Sequence, residues 1–192
     1  VKYSITQSNK QKYVWFRTAK CGTRSILFSL NNNTDICVNE YNVQFDYSWK
    51  DYFKFSIARN PWDRLVSTWT EKVQHQWIEH DKNPYRIKVF KKYKDEDYDF
   101  FVKNVIPSED IHTECLSNLI DLTVVDFIGR FENLQQDFNI ICDKIGIPQQ
   151  KLPHRNKTKH KHYTKYYDDE TREIVAKKYA KDIEYFGYEF GE

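Results

Sequence analysis

Short apolar, aromatic-rich runs end abruptly in polar turns at two places in the first third of the chain. Tyr13–Phe16 and Tyr52–Ile57 each read as a buried strand, and each leads through a polar turn into a segment of helical spacing. Asn60 is a candidate N-cap with Pro61 suited to the first helical position, so a helix is predicted to start there. Farther on, Phe131, Leu134, Phe138, Ile141 and Ile145 share one face, which predicts a helix over 131–145 ended by Gly146. Asp168 or Asp169 can cap a last helix running to about Asp182, with Ile174, Val175, Ala180 and Ile183 inward. Glu71–Asp99 is charged and aromatic with weak periodicity, which fits either a helix or a mobile wall over an acceptor cleft. Strands alternating with helices predict an α/β fold: one domain over 1–192 with a central parallel sheet flanked by helices.

The two strand–turn–helix units carry the candidate chemistry. Such a unit aims backbone N–H groups and a helix N-terminus at an anion, and two of them suggest a ligand with two phosphate-like groups. In the first, Thr18-Ala19-Lys20-Cys21-Gly22-Thr23-Arg24-Ser25, Lys20 supplies a mobile positive charge and Gly22 bends the chain. Thr23 and Ser25 add hydroxyls, with Cys21 and Arg24 completing the loop. The lysine precedes a lone glycine, so this is neither a Walker A loop nor a dinucleotide-binding glycine pattern. The bland alternative is an ordinary strand–helix turn with a solvated lysine. In the second unit, Arg59 ends a strand just before a helix, where a guanidinium can grip a phosphate in two-pronged fashion. Ser67 lies seven residues after Asn60, about two turns along, and Arg64 can either contact the same anion or hold the loop. Here the bland alternative is a capped helix with a surface arginine pair.

Taken together, these loops resemble the signature of sulfotransferases that use 3′-phosphoadenosine-5′-phosphosulfate (PAPS). The resemblance implies a P-loop-like nucleotide-binding core in which the Lys20 loop cradles the 5′-phosphosulfate and Arg59 and Ser67 bind the 3′-phosphate, with 3′-phosphoadenosine-5′-phosphate (PAP) as the nucleotide product. Asp126-Phe127-Ile128-Gly129-Arg130-Phe131-Glu132-Asn133-Leu134 is similar to a strand-to-helix segment of the Golgi-type carbohydrate sulfotransferases. Leu152-Pro153-His154-Arg155-Asn156, Tyr166-Tyr167 and Phe186-Gly187-Tyr188 resemble the same group's C-terminal pattern. Arg155 and Asn156 are secondary nucleotide candidates on that basis. The tyrosines at 163, 166 and 167 offer stacking surfaces for adenine or a sugar, or else core packing.

Composition narrows the partners. The chain of 192 residues is 40% hydrophobic and 17% aromatic, enough to bury a core. A net charge of +2 does not call for a polyanionic partner, and no nucleic acid is expected. No run has the length and apolarity of a membrane span. The chain begins at Val1 and has no methionine, from which an upstream piece is expected to have been removed. The expected home is the cytoplasm for a microbial protein, or the Golgi lumen for a eukaryotic enzyme trimmed of its anchor. The cysteines at 21, 37, 115 and 142 lack disulfide-framework or metal-site spacing, and no metal is expected.

Sulfuryl transfer by in-line displacement needs positioning and charge stabilisation more than covalent chemistry. Lys20 is the candidate for charge on the bridging oxygen. The acceptor, a hydroxyl (or amine) of a carbohydrate or other small molecule, needs a base. No histidine stands between Lys20 and His75, leaving Glu40 and Asp46 as carboxylates in that interval. The preferred base is His112, which resembles a histidine placed ahead of the Asp-Phe strand in carbohydrate sulfotransferases; the alternative is a structural histidine. Glu114 is a candidate to orient its ring. A small nucleotide kinase and a non-enzymatic nucleotide- or nucleic-acid-binding module are the competing classes, and a catalytically dead sulfotransferase is a further alternative.

Overall fold

The computed structural model describes residues 1–74, 84–105, 110–153 and 161–192. Its strands are β1 (Tyr3–Ser8), β2 (Tyr13–Phe16), β3 (Val38–Val43), β4 (Phe53–Ala58) and β5 (Phe127–Arg130). Its α-helices are α1 (Thr23–Asn33), α2 (Pro61–Trp69), α3 (Pro84–Lys91), α4 (Tyr98–Val105), α5 (Leu116–Leu119), α6 (Leu134–Ile145), α7 (Asp169–Lys178) and α8 (Ala180–Phe186). The chain forms two compact units, residues 1–59 with 116–157 and residues 60–115 with 158–192.

The first unit holds one sheet in the order β3-β1-β2-β4-β5. The α/β class stands, with a refinement: β2, β4 and β5 run parallel, whereas β1 is antiparallel to both β2 and β3, so the sheet is mixed. β1 and β3 carry no clean alternation. In β1 the polar Thr6, Gln7 and Ser8 are buried, and Thr6 Oγ1 donates to Asn39 Oδ1 at 2.8 Å while Gln7 Nε2 donates to Asn9 Oδ1 at 2.7 Å. β3 is an edge strand with mostly exposed residues, so hydrophobic spacing could not reveal it. The parallel core is aromatic: Trp15 stacks on Phe55 at 5.9 Å between ring centroids, and Phe53 stacks on Phe127 at 6.4 Å.

Motif residues at β5 hold this sheet together. The Asp126 carboxylate accepts the Lys54 backbone N–H at 2.7 Å and lies 2.9 Å from the Lys54 ammonium, fastening β5 to β4. Gly129 allows close approach, since a Cβ there would meet Ile57 Cδ1 at 2.9 Å and Asp137 Cβ at 3.0 Å. Asp137 in turn accepts the Arg130 N–H, closing the strand onto α6. The helix predicted over 131–145 begins as a 3-10 turn at Phe131–Asn133 and ends at Gly146, whose φ is 70°.

The second unit is built on α2, which has eight of its nine residues buried. Asn60 caps it by accepting from Trp62 N at 3.1 Å, and a π turn at Thr70–Gln74 extends it. Trp62, Leu65, Val66 and Trp69 pack into one cluster with residues of α4 and α7 and with Tyr163. The last helix is two helices. Asp168 and Thr171 form a reciprocal capping box at the start of α7, and Tyr179 separates α7 from α8 while its phenol donates to the Thr113 carbonyl at 2.7 Å. No helix of the described residues is long and apolar enough to cross a membrane.

Candidate functional site

The first loop is held in shape by its own hydroxyls. Thr18 Oγ1 donates to the Ile57 carbonyl of β4 at 2.6 Å, and Thr23 Oγ1 donates back to the Thr18 carbonyl at 2.6 Å. The Thr23 hydroxyl proton is thus committed to the loop. Two residues here have left-handed backbones, Lys20 at φ 69° and Gly22 at φ 77°. For lysine that conformation costs about 1–2 kcal/mol. The Lys20 carbonyl it turns inward is taken by Arg59 Nη1 at 2.7 Å, and the Arg59 guanidinium lies over the Phe131 ring at 4.0 Å from its centroid. Lys20 and Arg59, 39 residues apart on the two predicted loops, are therefore brought into one contact within the first unit.

This loop opens α1 with Gly22 as N-cap, no side-chain cap bond and no acidic residue in the first turn. The partial positive charge of the helix start is left uncompensated by any carboxylate of its own turn, beside half-buried Lys20 and exposed Arg24. Ser25 is buried on that turn. Cys21 is fully buried and its thiol points to the Ala19 carbonyl at 3.5 Å, so it fills the loop. The four cysteines are free thiols, and burial pushes the Cys142 thiol up to about 11.

The arginines of the second segment are not a surface pair. Arg59 is 6% and Arg64 is 2% exposed. Arg64 donates to the Glu114 carbonyl at 2.7 Å and to the Ile111 carbonyl at 3.0 Å, so of its two readings the structure favours holding the loop. Ser67, one turn farther on α2, is buried. Arg155 lies outside the described residues, as does most of the basic run it belongs to.

His112 sits in a turn of the second unit. Its Nδ1 lies 2.5 Å from Asp110 Oδ1, and its backbone N–H donates to the same oxygen at 2.9 Å. The carboxylate against the ring is thus Asp110, while Glu114 Oε1 accepts from Cys115 N at 2.8 Å. Hydrogen-bond geometry alone could have suggested Asp110, because Asp-x-His is the spacing of an Asx turn. The other carboxylates fare less well. Glu40 is exposed on β3, and Asp46 is held below the usual carboxylate range by the Ser48 N–H it accepts, which weakens it as a base. Tyr163, Tyr166 and Tyr167 belong to the aromatic core: Tyr166 meets Trp69 edge-on at 5.9 Å, Tyr167 meets Phe190 at 5.5 Å, and the Tyr167 phenol donates to the Trp62 carbonyl at 2.9 Å. Among the described residues, no group of three or more His, Cys, Asp or Glu is placed to hold a metal ion.

The first loop is thus a basic, glycine-bent turn between a parallel strand and a helix start in an α/β architecture, a geometry that suits an anion. The chain belongs to the sulfotransferase family, whose model matches residues 3–189. It is 29% identical over 157 residues to carbohydrate sulfotransferase 9 of Homo sapiens, covering 69% of this chain and 33% of that protein. It is 26% identical over 166 residues to carbohydrate sulfotransferase 14 of Danio rerio, covering 72% of this chain and 44% of that protein. An uncharacterized protein of Archaeoglobus fulgidus is 30% identical over 99 residues, covering 52% of this chain and 72% of that protein. The chain thus spans a third to under half of the two carbohydrate sulfotransferases. No solved structure matches it at a significant level.

Proposed function

We propose that this chain transfers a sulfuryl group from PAPS to a hydroxyl or amine of a carbohydrate or other small acceptor. Family membership and the names of two relatives support sulfuryl transfer and a carbohydrate acceptor. The observation that carries the nucleotide half is the first loop, a left-handed Lys20–Gly22 bend at a helix start without a carboxylate in its first turn, tied to Arg59. Backbone N–H groups together with the Lys20 ammonium fit the charge of a 5′-phosphosulfate. Arg59 and Ser67 are assigned the 3′-phosphate. Arg64 is assigned to support and not to the nucleotide.

In the proposed step the acceptor oxygen forms a bond to sulfur as the sulfur–oxygen bond to the nucleotide breaks. Lys20 stabilises the charge gathering on that bridging oxygen, PAP departs, and the acceptor proton passes to His112. One sulfotransferase domain over 1–192 is the reading of the chain's organisation.

Calorimetry with PAP, ADP and ATP, with and without Mg²⁺, tests the nucleotide half on wild type, Arg59→Lys and Arg59→Ala. The expected result is metal-independent binding that prefers PAP, weakened about 10- to 100-fold by Arg59→Lys, since a point charge cannot reproduce the guanidinium fork. Equal or tighter binding of ATP, or no nucleotide binding by the folded protein, overturns the assignment in favour of a kinase or a binding module.

A further inference from the structure

The turn that carries His112 is fixed at every carbonyl. The Asp110 carbonyl accepts the Thr113 and Glu114 N–H groups at 2.9 and 2.8 Å. Arg64 donates to the Ile111 and Glu114 carbonyls, Thr68 Oγ1 shares its one proton between the His112 carbonyl at 3.1 Å and the Arg64 carbonyl at 3.0 Å, and Tyr179 donates to the Thr113 carbonyl. Five consecutive carbonyls, 110 to 114, are thus held, four of them by donors on α2 or at the α7–α8 junction. Three of those four bonds come from Arg64 and Thr68, one helical turn apart on α2. A solvated surface loop needs no such network; a loop that must present one side chain in one orientation does.

The side chain so presented is the imidazole. Asp110, 4% exposed, places Oδ1 against both the backbone N–H and Nδ1 of His112. A carboxylate can only accept, so Nδ1 is the protonated nitrogen and Nε2 carries the basic lone pair. Phe90 stands edge-on to the ring at 6.3 Å, restricting its rotation on another side.

We infer that Asp110 is a positioning residue for catalysis, fixing His112 in the Nδ1–H tautomer and stabilising the imidazolium that forms when Nε2 takes the acceptor proton. This rests on the reading of His112 as the general base. Asp110 acts through His112 only. The Arg64–Thr68–Tyr179 scaffold supplies the rigidity that a long, mobile side chain could not.

The test uses the full chain labelled with ¹⁵N-histidine, as wild type, Asp110→Asn, Asp110→Ala and His112→Ala. Long-range imidazole spectra report the tautomer, and turnover is followed with ³⁵S-PAPS and a mixed pool of neutral hexose and N-acetylhexosamine oligosaccharides. Wild type is expected in the Nδ1–H form and Asp110→Ala predominantly in the Nε2–H form. Asp110→Asn keeps an oxygen for the turn but no charge, so kcat is expected to fall about 10- to 100-fold with KM within about twofold. An Nε2–H tautomer in wild type, an unchanged tautomer in Asp110→Ala, or full kcat in Asp110→Asn overturns the positioning role. Full turnover in His112→Ala overturns the general-base reading instead, and the imidazole spectra of the other variants tell the two failures apart.

Discussion

Replacing Gly22 with alanine strains the first loop in two separable ways. Its φ of 77° lies in the left-handed region, where a Cβ costs about 1–2 kcal/mol. The new Cβ would also stand 2.6 Å from Leu134 Cδ2, about 0.8 Å inside the 3.4 Å where ordinary contact begins. That atom is the tip of a half-buried side chain on α6, so relief by an off-rotamer shift or local overpacking costs about 1–3 kcal/mol. Gly22→Ala is therefore expected to destabilise the fold by about 2–5 kcal/mol. Leu134→Ala removes the steric part and leaves the backbone part untouched. The double variant should then be less destabilised than the two single variants added together, by about 1–3 kcal/mol. Urea unfolding followed by tryptophan fluorescence measures this, with Trp15 buried in the neighbouring strand as a reporter. PAP affinity should fall at least about tenfold in Gly22→Ala and in the double variant, because the bend that aims the α1 N–H groups depends on the left-handed residue. Additivity within about 0.5 kcal/mol would refute the steric argument. Unchanged PAP affinity in Gly22→Ala would refute the link between this bend and the nucleotide.

Other outcomes follow from the same contacts. Arg64→Lys cannot reach both the Ile111 and Glu114 carbonyls, so a loss of about 2–4 kcal/mol is expected in urea unfolding. PAP affinity should stay within about threefold of wild type, and a larger drop would return Arg64 to the nucleotide. Burial pushes the Tyr13 phenol up to about 12, against an ordinary value of 10.0. The folded chain then keeps a proton that the unfolded chain releases, so this contribution is fully present below pH 10.0 and is lost as pH rises toward about 12. Tyr13→Phe should make the alkaline fall in unfolding free energy shallower by up to about 1.4 kcal/mol per pH unit; identical slopes would count against it. The remaining slope is shared among the other groups that burial raises, Tyr3, Tyr98, Tyr163, Tyr167 and Tyr179 and the thiols of Cys115 and Cys142.

Local patterns in the sequence were sufficient wherever a short-range rule governs. The apolar run Tyr13–Phe16, the Asn60–Pro61 helix start, the face shared by Phe138, Ile141 and Ile145, and the Gly146 stop all depend on neighbours within a few residues, and the structure has each of them. The same holds for the glycine-bent Lys20 loop at the head of α1. Local rules failed where the partner is distant. β1 buries Thr6 and Ser8 because Asn39 and Asp35, far along the chain, satisfy them, and β3 is a strand only because β1 lies beside it. Asp126 and Gly129, legible as a family pattern, gain their physical meaning from Lys54, Ile57 and Asp137.

The site divides along the same line. The expectation of an anionic ligand comes from Lys20, Gly22 and Arg59 as a sequence. What each side chain is free to do depends on contacts across 39 to 66 residues: Arg59 on the Lys20 carbonyl, Arg64 on the 110–114 turn, Tyr179 on Thr113. An arginine reads the same in sequence whether its fork faces a phosphate or two buried carbonyls. Only burial and hydrogen-bond partners distinguish them, because a buried carbonyl must be satisfied and takes the nearest donor that the fold brings to it.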